Sequence, residues 1–185
     1  MGTIPTIPTL ASGAVVTSAY LNSLKAANDF WAATPRCYAY ASAVATTFIS
    51  GTPNVVTLDA EIYDIVQSGD TPMHDNATNN TRIVCRTGGK YEITGQVQIG
   101  SNATGVRTAQ IRLNSAGNAG SGTLLAINQQ GAVSGGATSV GIIPVEAVLS
   151  AGDYIEMFGT QTSGVNLTTV VGAGLTFMRM KLTGA

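Results

Sequence analysis

The spacing of polar and apolar positions changes at about residue 36. From Thr17 or Ser18, both good helix N-cap residues, the run AYLNSLKAANDFWAA places apolar side chains three and four positions apart until Pro35. That spacing is typical of one face of an α-helix. Beyond residue 36, apolar and polar residues alternate with a period of two, and turn-forming clusters interrupt the alternation. The pattern predicts one short helix followed by an all-β domain.

The first 13 residues repeat Ile, Pro and Thr. Proline resists helix formation and favours an extended backbone, so we expect an extended arm that can pair with a partner. The sequence therefore divides into residues 1–35, an arm and docking helix that tethers the protein to a particle or to neighbouring subunits, and a β domain over residues 36–185.

The β domain is expected to contain about eight strands, a count typical of a two-sheet antiparallel jelly-roll sandwich. The clearest alternation lies at 91–99, where Tyr91 and the apolar residues after it face one side. A phase slip at Ile142–Ile143 and Pro144 predicts a bulge or bend. Residues 59–81 are predicted to form a long polar loop. The predicted strands are 37–49, 55–58, 82–86, 91–99, 106–114, 123–128, 138–149, 154–160 and 175–182.

Composition narrows the possible functions. Charged residues make up 10% of the chain, against about 25% in an ordinary domain, and the net charge is −1. This leaves no basic surface for nucleic acid. No run of about 20 apolar residues exists to insert into a membrane, and 44% hydrophobic residues argue against disorder. The N-terminal residues also lack the basic region of a secretion signal.

Candidate chemistry is sparse. The single histidine, His74, lies beside Asp75, but no nucleophile motif accompanies it. We expect a solvated loop imidazole and no enzymatic activity. Cys37 and Cys85 match no zinc pattern and are expected to be buried free thiols rather than a disulfide.

Half of the acidic residues lie in one segment. Hard oxygen ligands in a loop suit calcium, so a calcium ion in the Asp59–Asp75 loop is the lesser alternative to our expectation of no cofactor. We favour a solvated acidic loop whose carboxylates pair with Arg82, Arg86 and Lys90 just downstream. The acids of the segment are Asp59, Glu61, Asp64, Asp70 and Asp75.

Two sets of motifs carry resemblances. Three segments, in this order along the chain, resemble the complement-globular-head/tumour-necrosis-factor-like jelly roll. They are GKYEITGQVQI (89–99), LSAGDYIEMFGT (149–160) and LTFMRMKL (175–182). The first part of the chain resembles the N-terminal segment of tailed-bacteriophage virion proteins, in which a Pro/Thr arm and a YLN-L helix precede a distal β domain. The residues that carry this resemblance are PTIPTLASGAVVTSAYLNSLKAANDFWAATPR.

The jelly-roll resemblance implies a homotrimer packed around a threefold axis. Apolar residues on both faces of the last two predicted strands favour a subunit contact, although a bulge could instead place all of them in one core. The residues predicted at the trimer interface are Tyr91, Phe158, Phe177, Met178 and Met180. The residues predicted to anchor the arm and helix are Ile4, Ile7, Leu21, Leu24, Phe30 and Trp31.

Together these features predict a non-enzymatic virion structural protein, assembled in the host cytoplasm. It would be a trimeric surface knob, anchored by its arm, that acts in capsid decoration or in tail or fibre host attachment. Its expected partners are other virion proteins and a host-surface glycan or protein. The alternative is a secreted-type tumour-necrosis-factor/complement-like ligand or glycan-binding module, against which the lack of a signal sequence argues.

Overall fold

The computed structural model describes residues 4–184. The predicted helix is present as α1, Ser18–Ala32. Thr17 is its N-cap, and the Thr17 Oγ1 accepts a hydrogen bond from the Tyr20 N–H at 3.2 Å, which satisfies one of the free N–H groups of the first turn. The helix ends before Pro35, and Ala27 and Phe30 are its buried residues.

Twelve strands follow within the described residues. Eight of them are five residues or longer, in line with the predicted number of strands. The strands are β1 Arg36–Tyr40, β2 Thr47–Phe48, β3 Asn54–Val55, β4 Ala60–Ile65, β5 Arg82–Val84, β6 Gly89–Ile99, β7 Val106–Leu113, β8 Thr123–Gly131, β9 Thr138–Leu149, β10 Tyr154–Gln161, β11 Leu167–Thr168 and β12 Phe177–Gly184.

The strands form two main antiparallel sheets. The first has the order β4-β1-β12-β6-β9, and the second has the order β3-β10-β7-β8 with β5 also paired to β10. β2 and β11 make a small separate ladder. The fold is the predicted two-sheet antiparallel jelly-roll sandwich, preceded by an arm and one short helix.

The core lies between the two sheets and follows the period of two. On β6, Ile93 and Val97 are fully buried, and they face Ile111 and Met157 of the second sheet in one cluster. Each such side chain contributes about 1.5–3 kcal/mol when fully buried. Gly95 shares this face, and a Cβ there would lie 2.9 Å from the Met157 Sδ. Glycine at this position lets the sheets approach closely.

The predicted bulge in β9 is confirmed. Ile93 pairs with Val145 while Gly95 pairs with Ile142, so β9 contains one more residue than β6 between these two pairs. The extra residue breaks the inward and outward alternation. Ile143 is left 77% exposed, and beyond the bulge Val148 is 80% exposed.

Two predicted boundaries are wrong. The loop proposed for residues 59–81 contains β4, which pairs with β1; its residues are mostly half-buried, so the alternation is weak. The proposed strand 37–49 breaks after Tyr40 because the Asp59 carboxylate accepts hydrogen bonds from the backbone N–H groups of residues 42–44. Those amides then cannot pair in a sheet.

The sandwich has two distinct ends. Ile4 of the arm packs against the core, and its Cδ1 lies close to Gly89 at the start of β6. We call this the arm end; it also contains the turn 150–153. At the opposite end, the distal end, the loops 100–105, 132–137 and 162–166 converge: Ala132 N–H donates to the Gly105 carbonyl at 3.0 Å and Thr162 N–H to the Val106 carbonyl at 3.1 Å.

Candidate interaction surfaces

The predicted anchor residues divide into two groups. Ile4 and Phe30 pack against the jelly-roll core of the same chain, with Phe30 only 4% exposed, and Leu24 is half-buried. In contrast Ile7, Leu21 and Trp31 are exposed. The arm and helix are therefore fixed to their own domain through one side and present apolar side chains to solvent on the other.

Four of the five predicted interface residues are not available to a partner. Tyr91, Met178 and Met180 are fully buried in the core, and Phe158 is 1% exposed within the second sheet. The expectation that these side chains contact another subunit is wrong. For Tyr91, Met178 and Met180 the physical reason is inward alternation on β6 and β12, which makes them part of the intramolecular core. Only Phe177 lies on the outer side of its strand, half-buried.

Phe177 belongs to an aromatic face that the sequence pattern did not predict. Its ring stacks on Tyr38 with centroids 5.0 Å apart, and Tyr63 meets Tyr38 edge-on at 5.9 Å. The Arg36 guanidinium lies 5.9 Å from the centre of the Tyr63 ring. We call Tyr38, Tyr63 and Phe177 the aromatic face. Alternation could have revealed it, because Tyr38 is out of phase with buried Cys37 and Ala39 on β1.

A second apolar surface lies where the edges of the two sheets meet. β9, the last strand of the first sheet, runs beside β8, the last strand of the second, and the Asn128 side chain donates to the Gly141 carbonyl at 2.7 Å. Ile127 on β8 is 57% exposed, and on β9 Ile143 is 77% and Val148, five residues farther along the strand, 80% exposed. We call these three residues the apolar edge. It costs free energy to leave three branched aliphatic side chains in water, so this edge favours contact with a partner.

Two of the three basic residues after the acidic segment pair with acids outside it, contrary to expectation. Lys90 pairs with Glu146 at 2.5 Å, and Arg82 pairs with Glu156 at 2.9 Å. The third, Arg86, donates to the Pro72 carbonyl.

Most of the acids themselves bind backbone or side-chain donors. Asp64 accepts from the His74 N–H, Asp75 from the N–H groups of Ala77 and Thr78, and Glu61 from the Asn76 side chain. Among the described residues, no three His, Cys, Asp or Glu side chains are grouped to hold a metal ion. The two backbone N–H bonds also lower the pKa of Asp75.

His74 is not the solvated side chain that the sequence suggested. It is 4% exposed, and its two ring nitrogens lie 2.6 Å from the Arg82 carbonyl oxygen and 3.0 Å from the Leu58 carbonyl oxygen. The ring thus ties the 72–79 loop to β5 and to the end of the 54–58 segment. With both nitrogens occupied by backbone, His74 has a structural rather than a nucleophile-activating geometry.

The two cysteines are free and buried, as predicted. Burial, together with the carboxylates of Asp64 and Glu61, raises the pKa of the Cys37 thiol. Burial likewise raises the pKa of Cys85, whose Sγ donates to the Thr87 carbonyl at 3.1 Å. Both groups are therefore kept as unreactive thiols.

The β10 strand carries a buried carboxylate on its outer side. The fully buried Glu156 accepts hydrogen bonds from Arg82 Nε and Thr81 Oγ1 on one oxygen, and from Ser115 Oγ and the Gly117 N–H on the other. Burial opposes ionisation, but these four donors outweigh it and hold the pKa of Glu156 below its usual value. This network joins β5, β10 and the turn after β7.

A buried guanidinium holds the 100–105 loop at the distal end. Arg107 is fully buried and donates to the carbonyls of Asn102, Thr104 and Val106 at 2.9–3.1 Å. All three acceptors are backbone oxygens, and none is a carboxylate. The loop is fixed by its main chain, which leaves its side chains at the surface.

Comparison with known proteins supports the fold. No protein-family model and no curated protein sequence matches the chain. Among solved structures, murine APRIL matches with a TM-score of 0.58 and 12% identity over 80% of this chain and 98% of that one. Eiger, a tumour necrosis factor from S. frugiperda, matches with a TM-score of 0.57 and 13% identity over 82% of this chain and 94% of that one.

The globular domain of zebrafish complement 1qA also matches, with a TM-score of 0.50 and 11% identity over 80% of this chain and 96% of that one. The chain therefore has the fold of the tumour-necrosis-factor-like and complement-globular-head jelly rolls, as the motif order suggested. None of these proteins is named for an enzymatic activity. Over residues 4–184, no helix is long and apolar enough to cross a membrane.

Proposed function

We propose that the protein is a non-enzymatic structural subunit of a tailed-bacteriophage particle. It forms a homotrimeric surface knob that needs no cofactor. Its arm and helix, residues 1–35, attach it to other virion proteins, and its distal loops face outward. The observation that carries this proposal is the presence on one chain of two apolar surfaces outside the core, the half-buried aromatic face and the exposed apolar edge.

The aromatic face lies on β4, β1 and β12, toward one edge of the first sheet, and the apolar edge lies at the other edge of that sheet, on β9 and the neighbouring β8 of the second sheet. When one copy's apolar edge contacts the next copy's aromatic face, the contact is heterologous, and such contacts close into a ring when the rotation permits. The jelly-roll resemblance implies that three copies complete the ring. The scarcity of charge supports this arrangement, since charges buried at repeated interfaces are costly.

The exposed side of the arm and helix supports the tether. Ile7, Leu21 and Trp31 remain open to solvent while Ile4 and Phe30 hold the same segment against the domain. A partner surface that covers these three side chains gains apolar burial without having to order the segment first. The distal loops then point away from the tether, which suits contact with a host-surface glycan or protein in a tail or fibre; decoration of a capsid uses the same geometry.

Trimer formation is tested by sedimentation equilibrium of the full chain and a matched pair of variants. Val148→Glu places a charge on the apolar edge, and Val165→Glu places the same charge on a turn at the distal end, where Val165 is also solvent-exposed, at 52%. We expect a trimer for the wild type and for Val165→Glu, and dissociation for Val148→Glu. A monomeric wild type at micromolar concentration contradicts the proposal.

The tether is tested with Trp31→Ala and Leu21→Ser rather than with deletion of residues 1–35. Deletion would uncover the core that Phe30 seals, so loss of assembly would have two explanations. Both point variants change exposed side chains and should leave the fold and the trimer intact, while association with purified particles falls. Unimpaired association of the double variant contradicts the tether.

The alternative function, a secreted-type ligand or glycan-binding module of the tumour-necrosis-factor/complement kind, has the same fold and the same expected trimer. The exposed apolar side of the arm and helix favours the virion subunit, because a free ligand has no partner to cover it. Binding of the trimer to host cells in the absence of any particle protein, unaffected by Trp31→Ala, would favour the alternative.

A further inference from the structure

Strand β5 and the loop beside it enclose a small cavity. Alternation on β5 buries Ile83 and Cys85 and places Arg82 and Arg86 on the opposite side. Loop 72–79 runs along that side: Val84 N–H donates to the Met73 carbonyl at 2.7 Å. The Arg86 Nε and Nη2 donate to the Pro72 carbonyl at 2.8 and 2.6 Å. Between strand and loop lies a cavity of about 170 Å³, which we call the basic cavity.

The walls of the basic cavity hold more hydrogen-bond donors than acceptors. Arg82 donates a hydrogen bond only from Nε, toward Glu156, while its guanidinium lies over the Tyr154 ring at 4.2 Å. Arg86 donates from Nε and Nη2, so the remaining guanidinium N–H groups of both arginines have no acceptor among residues 4–184. Thr78 and Asn79 also line the cavity with side-chain donors that have no acceptor in the same part of the chain. The acid in the wall, Asp75, accepts two backbone N–H groups on Oδ1 at 2.8 Å, so only its Oδ2 remains as a carboxylate acceptor there.

The basic cavity lies toward the arm end of the sandwich. Arg82 pairs with Glu156, near the start of β10 and just after the turn 150–153. Arg86 also lines a neighbouring cavity of about 200 Å³ with Ala151 and Gly152 of that turn. A surface that receives the arm therefore approaches the side on which these guanidinium groups lie.

We propose that the basic cavity binds the carboxylate of an acidic side chain presented by the protein surface on which the arm docks. A guanidinium fork matches the two oxygens of a carboxylate, and charge-assisted hydrogen bonds of this kind are about twice as strong as neutral ones. The small volume admits one acidic side chain rather than a folded element. The source of the carboxylate rests on the proposed tether, whereas the cavity's preference for a carboxylate does not.

The test uses the ¹⁵N-labelled full chain and observes the backbone amides and the arginine Nε–H groups by NMR. The probes are the peptide acetyl-Ala-Glu-Ala-amide, its neutral match acetyl-Ala-Gln-Ala-amide, and methyl glucuronide as a carboxylate on a sugar. Arg86→Gln removes one guanidinium that has no carboxylate partner among residues 4–184, and Lys25→Gln on the exposed side of α1 removes the same charge elsewhere.

We expect the Glu peptide to shift the signals of Thr78, Asn79, Arg82 and Arg86 in a saturable way, and the Gln peptide to leave them in place. Arg86→Gln should weaken binding of the Glu peptide by about tenfold or more, and Lys25→Gln should leave that binding unchanged. If Arg86→Gln does not fold, Asn79→Gly serves instead, because Asn79 has a φ of 54° that glycine adopts freely.

Several results would overturn the proposal. They are an absence of saturable shifts with the Glu peptide, equal shifts with the Gln peptide, and unchanged binding in Arg86→Gln. Tighter binding of methyl glucuronide than of the Glu peptide would assign the site to an acidic sugar and reject a protein carboxylate. Particle association that Arg86→Gln leaves intact, while Trp31→Ala abolishes it, would reject the assigned source and leave the tether standing.

Discussion

The Glu156 network allows a quantitative test of how the two halves of the second sheet are joined. The variant Glu156→Gln keeps the shape of the side chain and replaces one carboxylate oxygen by an NH₂ group. One oxygen of Glu156 serves Arg82 and Thr81, and the other serves Ser115 and the Gly117 N–H. Whichever oxygen is replaced, the new NH₂ group then faces two hydrogen-bond donors and no acceptor.

The least costly arrangement keeps the oxygen on Arg82 and turns the NH₂ toward Ser115 and Gly117. The Ser115 hydroxyl can rotate to accept, but the Gly117 N–H, 2.7 Å from the replaced oxygen, loses its acceptor. A hydrogen bond to a charged group contributes about 1.5–3 kcal/mol, and the half-buried Arg82 cation also loses its buried counter-charge. We expect a loss of about 3 kcal/mol of unfolding free energy at neutral pH.

The measurement is urea unfolding at a fixed protein concentration, followed from pH 7 down to pH 3. Because the folded-state pKa of Glu156 lies below its unfolded value, the wild type gains stability from this group above about pH 4.3. It loses that gain as the pH falls through the folded pKa. The gap between wild type and Glu156→Gln should therefore narrow with acidification.

Glu146→Gln is the matched control. Its ion pair with Lys90 is exposed on both sides, and such pairs contribute about 0–1 kcal/mol. A Glu156→Gln variant that unfolds within 1 kcal/mol of the Glu146→Gln variant at pH 7, or a gap that stays constant with pH, would refute the reasoning.

Two further predictions concern packing and backbone geometry. Phe30→Ala should lower the unfolding free energy by about 3–5 kcal/mol, measured by urea unfolding, because the Phe30 side chain lies in the core and is only 4% exposed. Trp31→Ala should lower it by less than half as much, because Trp31 is 39% exposed. Equal losses would mean that the helix docks differently. Gly105→Ala should lower the unfolding free energy by more than about 3 kcal/mol, measured by thermal unfolding, because Gly105 has a φ of 79° and a Cβ would overlap the Thr162 carbonyl. A melting temperature like that of the wild type would contradict the tight approach of these two loops.

The regular parts of the fold could be predicted from local pattern. The helix follows from Thr17, the 3.6-residue spacing and Pro35, and β6 follows from strict alternation. β9 follows from a long, nearly continuous apolar run with a phase slip at Ile142–Ile143 and Pro144. β4 could not be predicted in this way because its residues are half-buried at a sheet edge, where alternation weakens. Its pairing with β1 also contains a bulge, and pairing depends on contacts far apart in sequence.

The interaction surfaces were harder to predict than the fold. The core and surface side chains of β12 are neighbours in the sequence, as Phe177, Met178 and Met180 show. They can be told apart only when it is known which side of β12 faces the second sheet. His74 and Glu156 look like ordinary surface residues in the sequence. Their burial depends on backbone carbonyls and donors supplied by segments up to 75 residues away, which no local pattern records.

The way in which Arg107 fixes the distal loop has an evolutionary consequence. Its guanidinium binds the carbonyls of residues 102, 104 and 106, and every amino acid provides a carbonyl. The side chains of Ser101, Ala103 and Thr104 can therefore be exchanged without loss of the anchor, while Gly105 and Asn102, whose Oδ1 accepts a hydrogen bond from the Thr104 N–H at 2.8 Å, cannot. Such a loop can diversify in sequence while the scaffold beneath it stays unchanged, and the same property makes it a practical position for grafting foreign recognition sequences.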